Sequence, residues 1–301
     1  MPPKTLIVIA GPTAIGKTSL SILLARQLNC AVLSADSRQF YKEMSIGTAV
    51  PTAEEMNGVP HYFIHSHSIT DDYNVGKYET DAILLLDKLF LNDDVAVLVG
   101  GSGLYIDAIC KGFDSLPEAD ENTRYLLKQI YQTEGMEGLA SLLKQKDEAY
   151  YHQVDLQNPH RVMRALEVCM VSGKPYSELR AGLTKQRNFN IIKIALNTDR
   201  DKLYSRINTR VDLMMKDGFM DEVKQLINFR HLNSLQTVGY KELFDYLDSK
   251  TDLNTAVELI KQNTRRYAKR QLTWFRRYTD FTWFEPHEVT RIADFLKQHG
   301  I

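Results

Sequence analysis

The chain has 301 residues, of which 44% are hydrophobic and 25% are charged, and its formal net charge at pH 7 is -1. These values are ordinary for a folded protein and exclude a disordered, collagen-like or fibrous chain. The near-neutral total also excludes a protein whose whole surface is basic, although it is compatible with a local basic patch.

Three cysteines, Cys30, Cys110 and Cys169, lie far apart and form no Cys-x-x-Cys pair. This spacing argues against a disulfide framework or a structural zinc site and favours reduced thiols. The apolar runs are shorter than the roughly 18–20 residues that a membrane helix needs, and no signal peptide is recognisable. We therefore expect a cytoplasmic protein with no membrane segment and no obligate protein partner.

Predicted strands and helices alternate along the first part of the chain. Apolar and β-branched runs predict strands at 5–10, 31–34, 95–99 and 191–196, and apolar residues at helical spacing predict a helix at 17–28. Strands separated by helices indicate an α/β fold with a parallel sheet. Between 113 and 187 the composition changes, and we expect helices at 124–131, 138–146 and 161–170.

The segment after the first predicted strand matches the phosphate-binding pattern G-x-x-x-x-G-K-[ST]. Its residues are Gly11, Pro12, Thr13, Ala14, Ile15, Gly16, Lys17 and Thr18. Backbone N–H groups and the helix N-terminus attract phosphate, the Lys17 ammonium neutralises terminal oxygens, and the Thr18 hydroxyl is a ligand for Mg²⁺. The pattern predicts a P-loop NTPase-like parallel core formed by 1–112 and 188–301, a mostly helical insertion domain at 113–187, and a helical C-terminal region.

No acidic residue ends the predicted strand at 95–99, which runs into Gly100-Gly101. Motor and switch NTPases use an acid there to hold Mg²⁺ and orient water. Its absence favours a transferase that grips a phosphate group. Two alternatives stay open: a small-molecule kinase of the nucleoside-monophosphate or shikimate type, and a nucleic-acid-binding ATPase.

Four polar residues, Asp36, Ser37, Arg38 and Gln39, follow the second predicted strand. In an open α/β sheet the carboxyl end of that strand lies near the phosphate loop, so these side chains are expected to face the same crevice. In that crevice the Asp36 carboxylate can accept a proton or bind Mg²⁺. The alternative interpretation is that Asp36 caps a following helix.

A cationic helix is predicted at 260–278. Its lysines and arginines are interleaved with aromatic residues, and they are Lys261, Arg265, Arg266, Lys269, Arg270, Arg276 and Arg277. Such a cluster indicates either a polyanion-binding surface or a solvated basic face. On another predicted helix, Arg206 and Arg210 are four residues apart, a spacing that suits a clamp on a leaving phosphate or an ordinary surface pair.

Taken together, the motifs resemble those of the bacterial tRNA dimethylallyltransferases, also called tRNA isopentenyltransferases. Besides the phosphate loop, the matching segments are 36–41, 46–49, 100–105, 164–168, 173–175, 239–242 and 264–274, in the family's order over nearly the whole chain. The resemblance implies transfer of a dimethylallyl group from dimethylallyl diphosphate to the 6-amino group of the adenine 3′ to the tRNA anticodon, with release of diphosphate and with Mg²⁺ as cofactor.

The resemblance also implies roles for individual residues. Asp36 is expected to accept the proton of the amine, and Thr13 and Arg210 are expected to act on the diphosphate side. The insertion domain is expected to grip the anticodon stem-loop. The residues expected to contact tRNA are Asp36, Ser37, Arg38, Gln39, Ser102, Arg124, His160, Arg161, Val162, Met163, Arg164, Arg265 and Lys269.

Overall fold

A computed structural model of the chain describes residues 4–301 except 115, 119, 181 and 183. The chain folds into two compact units, which we call the core unit (Met1–Cys110 and Arg187–Ile301) and the insertion unit (Lys111–Gln186). Arg187 belongs to the core unit, where its guanidinium donates to Glu79 Oε1 at 3.0 Å. None of the helices in the described part of the chain is long and apolar enough to cross a membrane.

The strands of the core unit are β1 (Thr5–Ala10), β2 (Val32–Ser34), β3 (His61–Tyr62), β4 (Val95–Gly100), β5 (Asn190–Leu196) and β6 (Thr282–Phe284). In the described residues they form one parallel sheet in the order β3-β2-β4-β1-β5-β6. The parallel α/β fold is therefore confirmed, as are the four predicted strands. The two edge strands have only two and three residues, too short to produce a recognisable pattern.

Helices cover both faces of this sheet. Before the insertion they are α1 (Lys17–Leu28), α2 (Ala53–Met56), α3 (Val75–Leu89) and α4 (Gly103–Lys111). Side chains of β1 alternate between two apolar clusters: Ile7 and Ile9 pack in the cluster that includes residues of α1, and Leu6 and Val8 pack in the cluster that includes residues of α3. Burial on both faces explains why β1 is continuously apolar.

The insertion unit consists of α5 (Glu121–Lys146), α6 (Glu148–Tyr151), α7 (Pro159–Ser172) and α8 (Tyr176–Leu179). Gly135 breaks α5 with a left-handed φ of 65°, so that this helix has two arms. The arms contain the two helices predicted at 124–131 and 138–146. Leu127, Leu139 and Leu143 of α5 pack with apolar side chains of α7, which gives the insertion unit a core of its own.

The C-terminal part of the core unit contains α9 (Arg200–Lys216), α10 (Phe219–Gln225), α11 (Tyr240–Leu247), α12 (Leu253–Phe275) and α13 (Val289–Gln298), with short 3₁₀ turns at Ile227–Phe229 and Asn233–Leu235. The cationic helix predicted at 260–278 is α12, and its predicted bounds are wrong at both ends. It begins earlier because Asp252 caps it, accepting a hydrogen bond from the Thr255 N–H at 2.9 Å.

Candidate active site

The phosphate loop connects β1 to α1 at the carboxyl edge of the sheet. Gly16 has a φ of 105°, a left-handed conformation that favours glycine, and it begins α1 without any side-chain cap. The first N–H groups of α1 thus lack a capping side chain and carry the positive end of the helix dipole. Lys17 Nζ donates to the Pro12 carbonyl at 2.8 Å. The loop therefore has the geometry of an anion-binding site.

A first cavity of about 430 Å³ opens above this loop. We call it the polar cavity because charged and hydrogen-bonding side chains surround it. Besides residues 13–18 of the loop, its lining includes Asp36, Gln39, Thr48, Arg206, Arg210, Tyr267 and Gln271. Among the described residues, three cations (Lys17, Arg206 and Arg210) and one carboxylate (Asp36) line this cavity. The excess of positive charge suits a ligand with several negative charges.

The surroundings of the polar cavity strongly change the ionisation of Lys17. Burial lowers the pKa of its ammonium to about 7, the Asp36 carboxylate opposes this shift, and the Arg210 guanidinium adds to it. Burial also lowers the pKa of Arg210, whose Nη1 donates to Thr13 Oγ1 at 3.3 Å. These half-buried cations gain from an anion that neutralises them, because charge interactions are stronger where water is partly excluded.

Asp36 lies just beyond the end of β2. Its Oδ1 accepts a hydrogen bond from the Arg38 N–H at 2.9 Å. The next helix, α2, begins only at Ala53, so the interpretation of Asp36 as a helix cap is wrong. The carboxylate instead lines the polar cavity.

A second cavity of about 210 Å³ shares part of its wall with the first. The shared residues are Thr13, Ala14, Asp36, Thr48, Arg210 and Tyr267. Half of its other lining residues have apolar side chains, and these are Ile207, Val211, Met214, Phe219, Val238 and Ile260. We call it the apolar cavity. The two cavities together offer a charged chamber and a hydrophobic chamber that meet at Thr13, Asp36 and Arg210.

Tyr267 of α12 borders both cavities, a position that the sequence did not reveal. Burial, reinforced by the nearby Asp36 carboxylate, raises the pKa of its phenol to about 12, so the hydroxyl stays neutral at physiological pH. The signal in the sequence was an aromatic residue among cations, which has the same appearance whether the ring faces solvent or a cavity.

Loop 45–49, which borders both cavities, depends on a carboxylate that the sequence did not single out. Glu222 of α10 accepts hydrogen bonds from the N–H groups of Ser45, Ile46 and Gly47 at 2.7–3.0 Å. It also accepts one from the Tyr240 hydroxyl at 2.5 Å. A methyl group on Gly47 would stand 2.3 Å from the Phe219 ring, so only glycine fits in this loop beside α10.

Three of the residues predicted to contact tRNA hold loops of the site together. Ser102 Oγ accepts a hydrogen bond from the Ser37 N–H at 3.0 Å, and Gln39 Nε2 donates to the Thr48 and Ala49 carbonyls at 3.3 and 3.1 Å. The buried Ser102 thus fixes the backbone next to Asp36. Arg38 donates to the Asn233 carbonyl at 3.2 Å, which directs its guanidinium toward the second 3₁₀ turn.

In the insertion unit, the candidate tRNA contacts differ in exposure. Arg124, His160 and Arg161 are exposed. Arg164 is half-buried and donates to Glu167 and to the Pro117 carbonyl, both at 3.2 Å. Val162 is fully buried in the core of the unit, so its side chain is not accessible at the surface, and the contact of this segment with tRNA stays a prediction. Met163 is partly buried against the same core.

The cations of α12 also separate into two groups. Arg265 donates to Asn208 Oδ1 at 2.6 Å, and Lys261 pairs with Asp212 and Glu258 at 2.8 and 2.9 Å. Both cations are thus engaged by neighbouring side chains of the core unit. Arg266, Lys269 and Arg270 are exposed. The sequence pattern alone did not distinguish these two groups.

The donor groups at the loop fit a hard cation. The Thr18 hydroxyl and the Asp36 carboxylate both line the polar cavity, and oxygen ligands are the ones Mg²⁺ prefers. Within the described residues there is no cluster of three or more His, Cys, Asp or Glu that forms a metal cage.

The sequence profile of a family described as IPP transferase matches residues 39–278. The tRNA dimethylallyltransferase 1 of Bacteroides thetaiotaomicron is 49% identical over 99% of this chain and 96% of its own length. The tRNA dimethylallyltransferase of Christiangramia forsetii is 51% identical over 97% of each chain.

Solved structures agree with these relatives. The crystal structure of a full-length tRNA isopentenylpyrophosphate transferase from Bacillus halodurans is similar, with a TM-score of 0.73 and 38% identity, over 98% of this chain and 96% of that one. A eukaryotic dimethylallyltransferase acting on tRNA reaches a TM-score of 0.80 at 26% identity, over 99% of this chain and 78% of that one.

Proposed function

Because the chain belongs to the IPP transferase family, we propose that it transfers a dimethylallyl group from dimethylallyl diphosphate to the 6-amino group of the adenine 3′ to the anticodon of tRNA. One observation carries this proposal at the level of the site: the cationic phosphate loop and the Asp36 carboxylate border the same two joined cavities. The names of its relatives support the same activity and give no support to the kinase alternative.

The polar cavity suits the diphosphate of the donor. N–H groups at the start of α1, the Lys17 ammonium and the guanidinium groups of Arg206 and Arg210 provide positive charge on its wall. Negative charge builds up on diphosphate oxygens as the carbon–oxygen bond breaks, so fixed positive groups stabilise that transition state more than the ground state. Thr13 and Arg210, which are hydrogen-bonded to each other, lie where the departing oxygen meets the apolar cavity.

The apolar cavity suits the five-carbon chain of the donor. Its wall includes Val211, Met214, Phe219 and Ile260, and burial of a hydrocarbon chain among such side chains is favourable by about 25 cal/mol per Å². This arrangement leaves the reacting carbon at the wall that the two cavities share, beside Thr13, Asp36 and Arg210.

Asp36 is the group that activates the acceptor. An exocyclic adenine amine is a weak nucleophile because its lone pair is delocalised into the ring. A carboxylate that accepts a hydrogen bond from this amine orients it and takes its proton during attack. The new bond joins the amine nitrogen to the first carbon of the dimethylallyl group, the bond from that carbon to the diphosphate oxygen breaks, and the proton goes to Asp36.

Mg²⁺ is the proposed cofactor, held by the Thr18 hydroxyl together with diphosphate oxygens and water. When bound, it neutralises negative charge on the diphosphate and so makes it a better leaving group. The residues of the chain that we assign to the diphosphate are the loop residues Gly11, Pro12, Thr13, Ala14, Ile15, Gly16, Lys17 and Thr18, with Arg210.

For tRNA we propose contacts by exposed cations of both units, such as Arg161 of α7 and Lys269 of α12. The target adenine must leave its stack to reach a cavity, as in other base-modifying enzymes. Anticodon-loop bases are single-stranded, which lowers the cost of that movement.

The test follows label from dimethylallyl diphosphate into unmodified tRNA that has adenine after the anticodon, with and without ATP. We expect label in the tRNA with wild-type protein. For Asp36→Asn we expect turnover to fall by about 10²-fold or more, with the affinity for tRNA little changed. The control variant is Asp87→Asn, which changes an exposed carboxylate of α3 outside both cavities. ATP consumption without label in tRNA would contradict the proposed function, and near-normal turnover of Asp36→Asn would remove Asp36 from its role.

A further inference from the structure

A buried glutamine joins the two loops that form the proposed reaction site. Gln271 of α12 is only 5% exposed, although the face of the helix next to it carries exposed cations. Its Oε1 accepts a hydrogen bond from the Thr13 N–H at 2.9 Å, and its Nε2 donates to the Gly101 carbonyl at 2.9 Å. One side-chain amide thus connects the phosphate loop to the loop between β4 and α4.

Each of these two loops leads directly to a group that the proposed reaction uses. On the phosphate side, the Thr13 hydroxyl accepts a hydrogen bond from Arg210 at 3.3 Å. On the acceptor side, Gly101 is followed by Ser102, whose Oγ accepts from the Ser37 N–H at 3.0 Å, and Ser37 follows Asp36. A short path of hydrogen bonds and adjacent backbone therefore runs from the diphosphate side to the carboxylate through Gln271.

Close packing leaves Gln271 little freedom. A methyl group on Gly101 would stand 2.2 Å from Gln271 Nε2, so glycine is needed for the amide to reach the backbone. Gln271 also borders the polar cavity. An amide has one donor end and one acceptor end, and here the two ends match a carbonyl oxygen and an N–H group on different loops.

We propose that Gln271 is a positioning residue for the transfer reaction: it sets the spacing between Thr13, on the diphosphate side, and Asp36, on the acceptor side. This inference rests on the proposed function, and it assigns to α12 a role in the chemistry in addition to its exposed cations. Gln271 acts through the backbone of the two loops. A misplacement of about 1 Å between reacting groups costs about 10²-fold in rate, so the bridge is expected to affect turnover more than binding.

The test compares two substitutions of similar size, Gln271→Met and Gln271→Glu. Methionine makes neither hydrogen bond, so we expect kcat to fall about 10- to 100-fold with the KM for tRNA little changed. The protonated carboxyl of Gln271→Glu restores both hydrogen bonds, because its O–H donates to Gly101 and its carbonyl oxygen accepts from Thr13. The ionised form turns a negative oxygen toward the Gly101 carbonyl and loses the bridge.

Burial of position 271 and the facing Gly101 carbonyl disfavour an ionised carboxylate, so the pKa of the introduced glutamate is expected to lie well above its ordinary range. The kcat of Gln271→Glu divided by that of wild type is therefore expected to rise about fivefold or more as the pH falls from about 8.5 to about 6, the equivalent of one buried hydrogen bond. The ratio for Gln271→Met is expected to stay low and flat. Lys17, Asp36, Arg206, Arg210 and Tyr267 face the same cavity in wild type and in both variants, so the ratio removes the pH dependence that the proteins share. Circular dichroism at each pH verifies that every variant is folded.

The control is Gln262→Glu, which adds the same charge at an exposed position of the same helix and should leave the ratio near one. A flat ratio for folded Gln271→Glu, or wild-type turnover of Gln271→Met, would overturn the positioning role. Absence of transfer by the wild-type protein would instead overturn the proposed function, so the two failures are distinguishable.

Discussion

Lys17 has an environment that makes diphosphate binding depend on protons. Burial lowers the pKa of the free ammonium to about 7, so above that pH the side chain is largely neutral before a ligand arrives. A bound diphosphate favours the charged form and raises the pKa again. Between pH 7 and 10.5 the Lys17 side chain is largely protonated in the unfolded chain and largely neutral in the folded chain. Because the unfolded state then binds more protons, the contribution of Lys17 to the free energy of unfolding rises with pH in this window.

We therefore predict that dimethylallyl diphosphate binding, without tRNA, takes up close to one proton per site at about pH 8 and far fewer at about pH 6. Isothermal calorimetry in buffers of different ionisation enthalpy measures this number. Lys17→Met is the matched control and should lose the uptake at the higher pH. Equal proton uptake by wild type and Lys17→Met at both pH values would contradict this assignment.

Among individual residues, those that belong to local patterns are predictable from the sequence. Gly16 and Lys17 belong to a contiguous motif, and Asp36 follows a predicted strand, so the sequence alone indicates that they lie together. Gln271 and Glu222 could not be inferred, because their partners are backbone groups of loops 258 and 175–177 residues away in the chain. A buried glutamine in a helix gives only a weak signal: a polar residue on an otherwise apolar face.

Among the helices, α12 has two faces with different roles. Ala268, Gln271 and Phe275 are buried, whereas Arg266, Lys269 and Arg270 are exposed. A helix that presents cations to solvent on one face and borders the polar cavity with the other can bind a polyanion while it supports the site.

We predict that the double variant Lys269→Ala/Arg270→Ala reduces the slope of log K against log salt concentration for tRNA binding by about 0.7–0.9 for each phosphate that these cations neutralise in the wild type. Lys261→Ala is the matched control on the same helix, since Asp212 and Glu258 already neutralise that ammonium. Filter binding or anisotropy over a range of salt concentrations measures the slopes. The surface assignment fails if the double variant keeps the wild-type slope, or if Lys261→Ala changes it equally.

The strands show why some elements were predictable and others were not. β1 and β4 are buried on both faces, so their sequences are continuous apolar runs. β3 and β6 are edge strands of two and three residues, and their existence depends on neighbours that are distant in sequence. The start of α12 was missed because the cationic pattern begins two turns after the capping residue Asp252.

Across the whole molecule, the site is assembled from segments that span most of the core unit. Thr13, Asp36, Arg210 and Tyr267 come from four different elements and border both cavities. The order of the motifs in the sequence identified the family, which the profile match and the relatives confirm. The joining of a polar and an apolar cavity at one wall could not be predicted, since it depends on how α9 packs with α10 and with α12.

The proposed function requires that the diphosphate bound at the phosphate loop separates from an isoprenoid donor during transfer. It also requires that ATP is not consumed. Both requirements are measured by counting inorganic diphosphate released and modified adenosine formed in the same reaction, by mass spectrometry of the digested tRNA, with ATP present. We predict one diphosphate for each dimethylallyl-modified adenosine and an unchanged amount of ATP. Modification that requires ATP cleavage, or diphosphate release without modified adenosine, would contradict the proposed function.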